Sequence, residues 1–413
     1  MRAAARFVTA PPRFGRVQLS AGTRLIVLFA FLPLDAAIAQ NTGSLVRASR
    51  VPLPDSVPLT RIQQLVPRAD GSFFYIDALT EGVLAFNPGG GLRRIGGRGE
   101  GPGELLTPWR LGLLGRDTLW VADAGRPRIN LYDAATGASL ADFGPSLWAG
   151  LEVGGMPPRP FAVLSDRSVV ALTWVERDVV AEARVYRVME PGGDREGRLL
   201  ATLDLRDRTI SVPLPAGGRG LQLRNPFSHS DMLAVGRSGE YVAVVRRPEP
   251  ADPAAFFFLE RRKTSGRPVD SIRVEYAARV LTASHVRSWA ADLGAVQRMV
   301  ELGVFPSRTA GTEAVLAALD EPGYYPPVRN IGAGIVEEAI LIDPGGAIWL
   351  QAPDTDGRTN RWLMVRGPNE VSMVTAPPGV RLLAVRNLQA WGETRDGLGA
   401  PVIEMFRLRE GYP

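Results

Sequence analysis

The chain of 413 residues contains no cysteine and only two histidines, His229 and His285. Because cysteine is absent, disulfide bonds, thiolate metal sites and a cysteine nucleophile are excluded. The shortage of histidine argues against histidine-rich metal sites and against most catalysis that relies on an imidazole base. Lysine is scarcer still. Lys263 is the only lysine, so arginine carries almost all of the positive charge.

The excess of positive charge is confined to the N-terminal end. The formal net charge is +5, from 48 Lys and Arg against 43 Asp and Glu, and residues 1–39 hold five arginines and one aspartate. The rest of the chain therefore carries 43 basic and 42 acidic residues. Such a balance gives no reason to expect a nucleic-acid partner. A hydrophobic content of 45% is that of a folded globular protein.

Residues 1–39 have the pattern of an export signal. A basic segment precedes a short apolar run at 25–34, and small residues follow it and end in Ala37-Ile38-Ala39. The apolar run is too short to cross a bilayer, which takes about 20 residues. We therefore expect cleavage near Ala39 and a periplasmic or secreted mature chain that has no transmembrane helix.

Two successive segments repeat the same order of short strands and turns. Tyr75 and Trp120 occupy equivalent places 45 residues apart, and Asp77 and Asp123 are 46 residues apart. A repeat of 40–50 residues with four short strands is typical of a β-propeller blade. The strand patterns of the two segments lie at 72–77, 82–86 and 92–95, and at 118–123, 128–133 and 139–143.

Less regular units continue to the C-terminus, with one helical interruption. Apolar residues from Val286 to Val300 recur at intervals of three and four, which predicts helix. Gly303 stands where a helix C-terminus is expected. We predict an all-β fold, a six-bladed β-propeller with a helical insertion between blades four and five. The predicted segments are a signal peptide at 1–39, an N-terminal lead at 40–60 and the propeller at 61–413, with its insertion at 280–327.

The glycine-rich segment between the two clearest units also carries a resemblance to a known family. Its sequence, IGGRGEGPGE at 95–104, is followed by LWVAD at 119–123 and by Arg128-Ile129. These phrases resemble bacterial exported six-bladed β-propellers related to NHL-repeat proteins, closely over 60–145 and more loosely over 160–410. The resemblance implies the architecture and an exported location. Related propellers include binding scaffolds, lactonase-like enzymes and an amidating lyase whose metal histidines have no counterpart here.

The glycine-rich segment is a candidate ligand site. Successive backbone N–H groups can cradle an anion, although the lysine of a P-loop is missing. The alternative is that the glycines serve a connection between blades that needs a left-handed backbone. The candidate ligand-binding residues in and beside this segment are Arg98, Glu100, Glu104, Trp109 and Arg126.

Asp77 and Asp123 are the candidate metal ligands. Each ends a strand at the same place in successive units, where carboxylate oxygens can bind Ca²⁺. The alternative is that each carboxylate caps a turn by accepting nearby backbone amides.

A nucleophile, a base and an acid stand together only in Ser228-His229-Ser230-Asp231. A catalytic triad requires convergence in space rather than adjacency in sequence, and no G-x-S-x-G elbow accompanies the cluster. We therefore interpret the cluster as a turn that enters the fourth unit, and no catalytic residue is predicted.

Three functional readings follow from these patterns. The first is a non-catalytic binding or scaffold module without a cofactor, which recognises a protein, peptide or glycan in the cell envelope. The second is a hydrolase or lactonase that uses a divalent ion held on the propeller axis. The third is a sensor or assembly component that docks a partner on its helical insertion.

Overall fold

The computed structural model describes the chain in segments between residues 42 and 410. The described residues are 42–53, 59–77, 82–89, 91–144, 158–177, 179–188, 197–205, 209–215, 217, 220–247, 254–263, 268–277, 279–291, 293–319, 328, 339–353 and 360–410. The predicted signal peptide lies outside the described residues.

Short strands make up most of the described chain. In chain order they are β1 (Thr42–Arg50), β2 (Ile62–Pro67), β3 (Phe73–Asp77), β4 (Val83–Asn87), β5 (Gly91–Ile95), β6 (Gly97–Arg98), β7 (Glu104–Leu105), β8 (Pro108–Leu114), β9 (Thr118–Asp123), β10 (Arg128–Asp133), β11 (Ser139–Phe143), β12 (Arg159–Val163), β13 (Val169–Arg177), β14 (Val179–Val188), β15 (Arg198–Asp204), β16 (Thr209–Val212), β17 (Leu221–Arg224), β18 (Met232–Val235), β19 (Tyr241–Arg246), β20 (Ala254–Lys263), β21 (Pro268–Ala277), β22 (Ile340–Ile342), β23 (Ile348–Gln351), β24 (Asn360–Gly367), β25 (Glu370–Ala376), β26 (Arg381–Arg386), β27 (Gln389–Arg395) and β28 (Pro401–Glu410).

Most of these strands pair with their neighbours in sequence. β2–β5, β8–β11, β12–β15 and β18–β21 form the first, second, third and fourth sheets, each an antiparallel meander of four strands. The remaining long strands form one eight-stranded sheet in the order β22-β23-β24-β25-β1-β28-β27-β26. The strand units predicted from the 45-residue repeat correspond to the first and second sheets. The fold is therefore a mostly-β propeller built from several blade-like sheets.

The N-terminal strand β1 joins the two halves of the eight-stranded sheet. It runs antiparallel to β28, from the pair Gly43↔Glu410 to the pair Arg50↔Glu404. It also pairs in parallel with β25 over three residues that begin at Thr42. The strand falls inside the segment expected to be an N-terminal lead. The beginning and the end of the described chain are thus hydrogen-bonded to each other.

The hydrophobic core lies between successive sheets. One cluster joins the first and second sheets, and a larger cluster joins the second, third and fourth. Further clusters join the fourth sheet to β22–β24, and β22–β25 to β26–β28. A last cluster packs Trp391 and Ile403 of β27 and β28 against Ile62 and Tyr75 of the first sheet. The packing therefore closes on itself, so that the first-strand edge of each sheet faces a common axis.

The predicted helical insertion is present between the fourth sheet and β22. It contains α1 (Ala283–Ala291), α2 (Gly294–Glu301) and α3 (Arg308–Ala318). Gly303, at φ +71°, follows the end of α2 as expected of a helix C-terminus. The helices pack on the β16–β17 hairpin through Val296, Phe305 and Val315. None of the described helices has the length and apolarity needed to cross a membrane.

Candidate functional site

A cavity of about 290 Å³ lies along the axis of the propeller. Its described walls come from β2, β8, β18, β22 and β26 and from the turns that follow these strands. These are the first strands of their units. The volume is close to the lower end of the range for small-molecule sites in proteins, about 300–1,000 Å³.

Arginine dominates the polar part of the cavity wall. Among the described lining residues there are five arginines and a single acid, Glu240. This excess contrasts with the near balance of charge over residues 40–413. The five arginines are Arg110, Arg116, Arg237, Arg381 and Arg386.

Three of these arginines gather at one end of the cavity, here called the turn mouth. Arg116 and Arg237 each follow the end of an inner strand by two residues, and Arg386 is the last residue of β26. Two contacts show that the inner strands run in the same direction. Arg386 Nη1, at the end of β26, donates to the carbonyl of Pro67, at the end of β2, at 3.3 Å. Leu113 N, near the end of β8, donates to the carbonyl of Arg237, just after β18, at 2.8 Å. The C-terminal ends of the inner strands therefore meet around one opening.

Arg237 is held across the cavity by a residue of the first sheet. Its Nη1 donates to Gln64 Oε1 at 2.7 Å, and the same oxygen accepts the N–H of Leu111 at 3.2 Å. Gly112 allows the backbone of Arg237 to approach the second sheet, since a Cβ at that position would lie 2.7 Å from the Arg237 carbonyl oxygen and 2.5 Å from the Trp120 ring. The guanidinium is therefore placed by Gln64 of the first sheet, and the backbone carbonyl of Arg237 is placed by the second sheet.

The β18–β19 turn covers the third sheet at this end. Ser165 N, in the β12–β13 turn, donates to the Gly239 carbonyl at 3.0 Å. This hydrogen bond and the one from Leu113 N to the Arg237 carbonyl bring the β18–β19 turn over β12. No residue of β12 is among the described lining residues of the cavity.

The Arg110 guanidinium packs against two aromatic rings. It is buried, and its guanidinium carbon stands 4.0 Å from the centre of the Phe161 ring and 5.1 Å from that of Trp109. Cation–π contacts of this kind hold an arginine without neutralising its charge.

Arg381 has a structural partner. Its Nη2 lies 2.7 Å from Glu393 Oε2 and also donates to the Ile62 carbonyl. By contrast, no ion pair is found for Arg116 or Arg386 within the described ranges. Within the described residues, Arg116 and Arg386 therefore bring positive charge to the turn mouth without a paired carboxylate.

Four of the predicted ligand residues fall in or beside the glycine-rich segment, and none of the four is among the described lining residues of the cavity. Glu104 accepts the N–H of Gly101 at 2.8 Å, and Arg126 pairs with Glu100. Arg98 lies on β6, which pairs with β7 in a short parallel ladder. These contacts link the first sheet to the second.

The interior of this segment is filled by its own neighbours. The buried Arg128 guanidinium donates to the carbonyls of Glu100 at 3.3 Å and Gly101 at 3.4 Å, and also to that of Glu104. Gly103 has φ +73°, and a Cβ there would lie 2.6 Å from the Cβ of Ser139. The geometry serves a connection between sheets, and the ligand role of the segment stays a prediction. Trp109, the fifth candidate, packs on Phe161 with ring centres 6.1 Å apart.

Asp77 and Asp123 hold the backbone that leads into their own sheets. Asp77 accepts the N–H of Thr60 at 2.9 Å, while Asp123 accepts those of Leu106 at 2.9 Å and Thr107 at 2.8 Å. Both residues are 1% exposed. No group of three potential metal-binding side chains is found among the described residues.

The Ser228–Asp231 cluster forms the entry to β18. The hydroxyls of Ser228 and Ser230 are hydrogen-bonded to each other, and both residues are buried. Asp231 accepts the N–H of Asp204 at 3.0 Å and pairs with Arg246. The acid is thus directed to the third sheet and to β19.

Sequence analysis did not find the arginines of the cavity. Arg110 and Arg116 lie in one stretch of the sequence and Arg381 and Arg386 in another, but these two pairs and Arg237 are far apart in the sequence and meet only after the ring of sheets has formed. One signal was present, since three inner strands are followed by arginine within two residues.

Comparisons with known proteins add little. No family model and no curated protein matches the chain. Among solved structures, a protein described as exported from Bacteroides fragilis is 9% identical with a TM-score of 0.42, covering 91% of this chain and 96% of its own. A gluconolactonase from Xanthomonas campestris is 12% identical with a TM-score of 0.38, covering 88% and 97%. Virginiamycin B lyase from Staphylococcus aureus is 11% identical with a TM-score of 0.36, covering 84% and 97%. At these levels the similarity carries no functional argument.

Proposed function

We propose that this chain is an exported six-bladed β-propeller that acts as a non-catalytic binding module, with its ligand site in the axial cavity. The eight-stranded sheet is counted as two blades, β22–β25 and β26–β28 with β1, which join the four separate sheets. The N-terminal pattern, ending at Ala39, supports export to the periplasm or beyond it.

The observation that carries the proposal is the composition of the cavity wall. Five arginines and a single acid, with apolar strands between them, offer recognition groups on a pre-formed concave surface. The two candidate metal ligands for the hydrolase reading, Asp77 and Asp123, instead accept backbone amides. The geometry therefore favours binding over metal-assisted hydrolysis.

The test is a binding screen in which a variant with a blocked cavity is the negative control. Small neutral, cationic and anionic compounds are screened against residues 40–413 by ligand-observed NMR, and every bound compound is checked for turnover. Ser238→Trp, in the β18–β19 turn that lines the cavity, is expected to abolish binding. Ser284→Trp, on the exposed side of α1, is expected to leave binding unchanged. Binding that survives Ser238→Trp would move the site elsewhere, and turnover would favour the enzyme.

A further inference from the structure

Three carboxylates of the turns around the mouth have partners of their own, whereas Glu240 of the β18–β19 turn lines the cavity with the arginines. Asp166 pairs with Arg187, and Asp70 accepts the N–H of Ser72 at 2.9 Å. Asp343 accepts the N–H of Asn387 at 2.7 Å. None of these three acids is among the described lining residues of the cavity. Their charges stabilise the turns, while the arginine side chains line the opening.

The donors at the mouth suit an oxyanion. A guanidinium carries five N–H donors in a planar fork that matches the oxygens of a carboxylate or a phosphate. Arg116 is exposed, and Arg237 and Arg386 are half-buried, so solvent and solute reach this end of the cavity. A partly buried position also raises the strength of a charge interaction above that at an open surface.

Two of the inner strands supply an apolar part of the cavity wall. β22 contributes Ile340, Leu341 and Ile342, and β26 contributes Leu382–Val385. An apolar group between these two strands would be removed from water, which favours its binding by about 25 cal/mol for each Å² buried.

We infer that the axial cavity binds a small amphipathic anion, with its carboxylate or phosphate group at Arg116, Arg237 and Arg386 and its apolar body between β22 and β26. This inference rests on the proposed function, because it assigns a ligand class to the same cavity. The charge at the mouth selects the head group, and the cavity volume limits the body to a small molecule.

The test compares probes that share an apolar body and differ in head group. Octanoate, octyl phosphate, octanol and octylamine are titrated into the mature protein by calorimetry, each well below its micellar concentration. Octanoate or octyl phosphate is expected to bind at least about tenfold more tightly than octanol, and octylamine weakest of all. The tighter of the two anions identifies the head group as a carboxylate or a phosphate. Inorganic phosphate and acetate show whether the head group suffices alone.

Variants then link the affinity to named residues. Arg116→Gln and Arg386→Gln are each expected to weaken binding of the preferred anion about tenfold, since each removes a charge-assisted contact. Arg386→Lys, which keeps the charge, is expected to retain more affinity than Arg386→Gln. Arg298→Gln, an exposed arginine of α2, serves as the matched control and is expected to bind as the unaltered protein does. Melting temperatures establish that each variant is folded.

The outcomes separate the two proposals. Equal binding of octanol and the anions would overturn the anion inference while leaving an axial binding site in place. Equal affinity in Arg116→Gln, Arg386→Gln and Arg298→Gln would likewise overturn it. If no compound of any charge binds in the screen or in this series, the proposed function itself fails.

Discussion

The backbone N–H of Ile62 donates to Glu393 Oε2 at 3.1 Å, although the two residues are 331 positions apart. Glu393 also holds Arg381, so one buried carboxylate joins the first strand of the first sheet to β26 and β27. Charge, hydrogen bonding and packing therefore meet at the junction where the ring of sheets closes.

Removing this carboxylate is expected to weaken the junction. Glu393→Ala leaves the Ile62 N–H and the Arg381 guanidinium without their acceptor, and hydrogen bonds to charged groups contribute about 1.5–3 kcal/mol each. We expect a loss of about that size in the free energy of unfolding, measured by urea denaturation. Glu370→Ala, at an exposed position of β25, is the control, and an equal effect of the two substitutions would contradict the prediction.

The closing strand β1 depends on one buried side chain. Leu45 is 4% exposed and packs with Phe406 and Trp362. We expect Leu45→Ala to lower the free energy of unfolding by about 2–4 kcal/mol, as large-to-small substitutions in cores do. Leu398→Ala removes the same atoms from a residue that is 96% exposed, and its effect is expected to be near zero. Similar values for both would show that β1 contributes little to stability.

Asp123 allows the metal and capping roles to be separated. If its carboxylate caps the turn, Asp123→Ala lowers the melting temperature by the same amount with calcium and with a chelator. The unaltered protein then melts at one temperature in both solutions. A stabilisation by calcium that is lost in Asp123→Ala would instead restore the metal prediction for this residue.

Acid is expected to weaken the fourth sheet through Glu260. Burial raises the pKa of this carboxyl, but hydrogen bonds and charge from Arg262 and Arg246 outweigh burial, so the folded pKa lies below 4.5. Its stabilising contribution is therefore complete above pH 4.5 and is lost as the pH falls through the lowered value.

The corresponding measurement is the melting temperature as a function of pH. Glu260→Gln is expected to melt below the unaltered protein at pH 7, and the difference is expected to shrink as the pH falls below about 4.5. Glu370→Gln serves as the exposed control. A difference that stays constant down to pH 3 would show that the ion pairs of Glu260 do not stabilise the fold.

Local patterns predicted much of the architecture. The spacing of Asp77 and Asp123 matched two four-stranded sheets, and the stripe from Val286 to Val300 matched two of the three helices of the insertion, α1 and α2. The strand β1 was missed because its sequence, TGSLVRASR, has little apolar periodicity and its partner lies at the far end of the chain. The same reasoning applies to the cavity. Arg116, Arg237 and Arg386 meet through closure of the ring, which no local window of sequence contains.

The pairing of β1 with β28 also constrains the order in which the protein can fold. Ribosomes make β1 before β28, so the eight-stranded sheet that contains both cannot be completed until β28 has been made. Bringing such distant segments together costs on the order of 5 kcal/mol in chain entropy, and long-range pairing of this kind slows folding. Until then the edges of β1 and β27 that pair with β28 lack their partner, and unpaired strand edges of this kind favour aggregation.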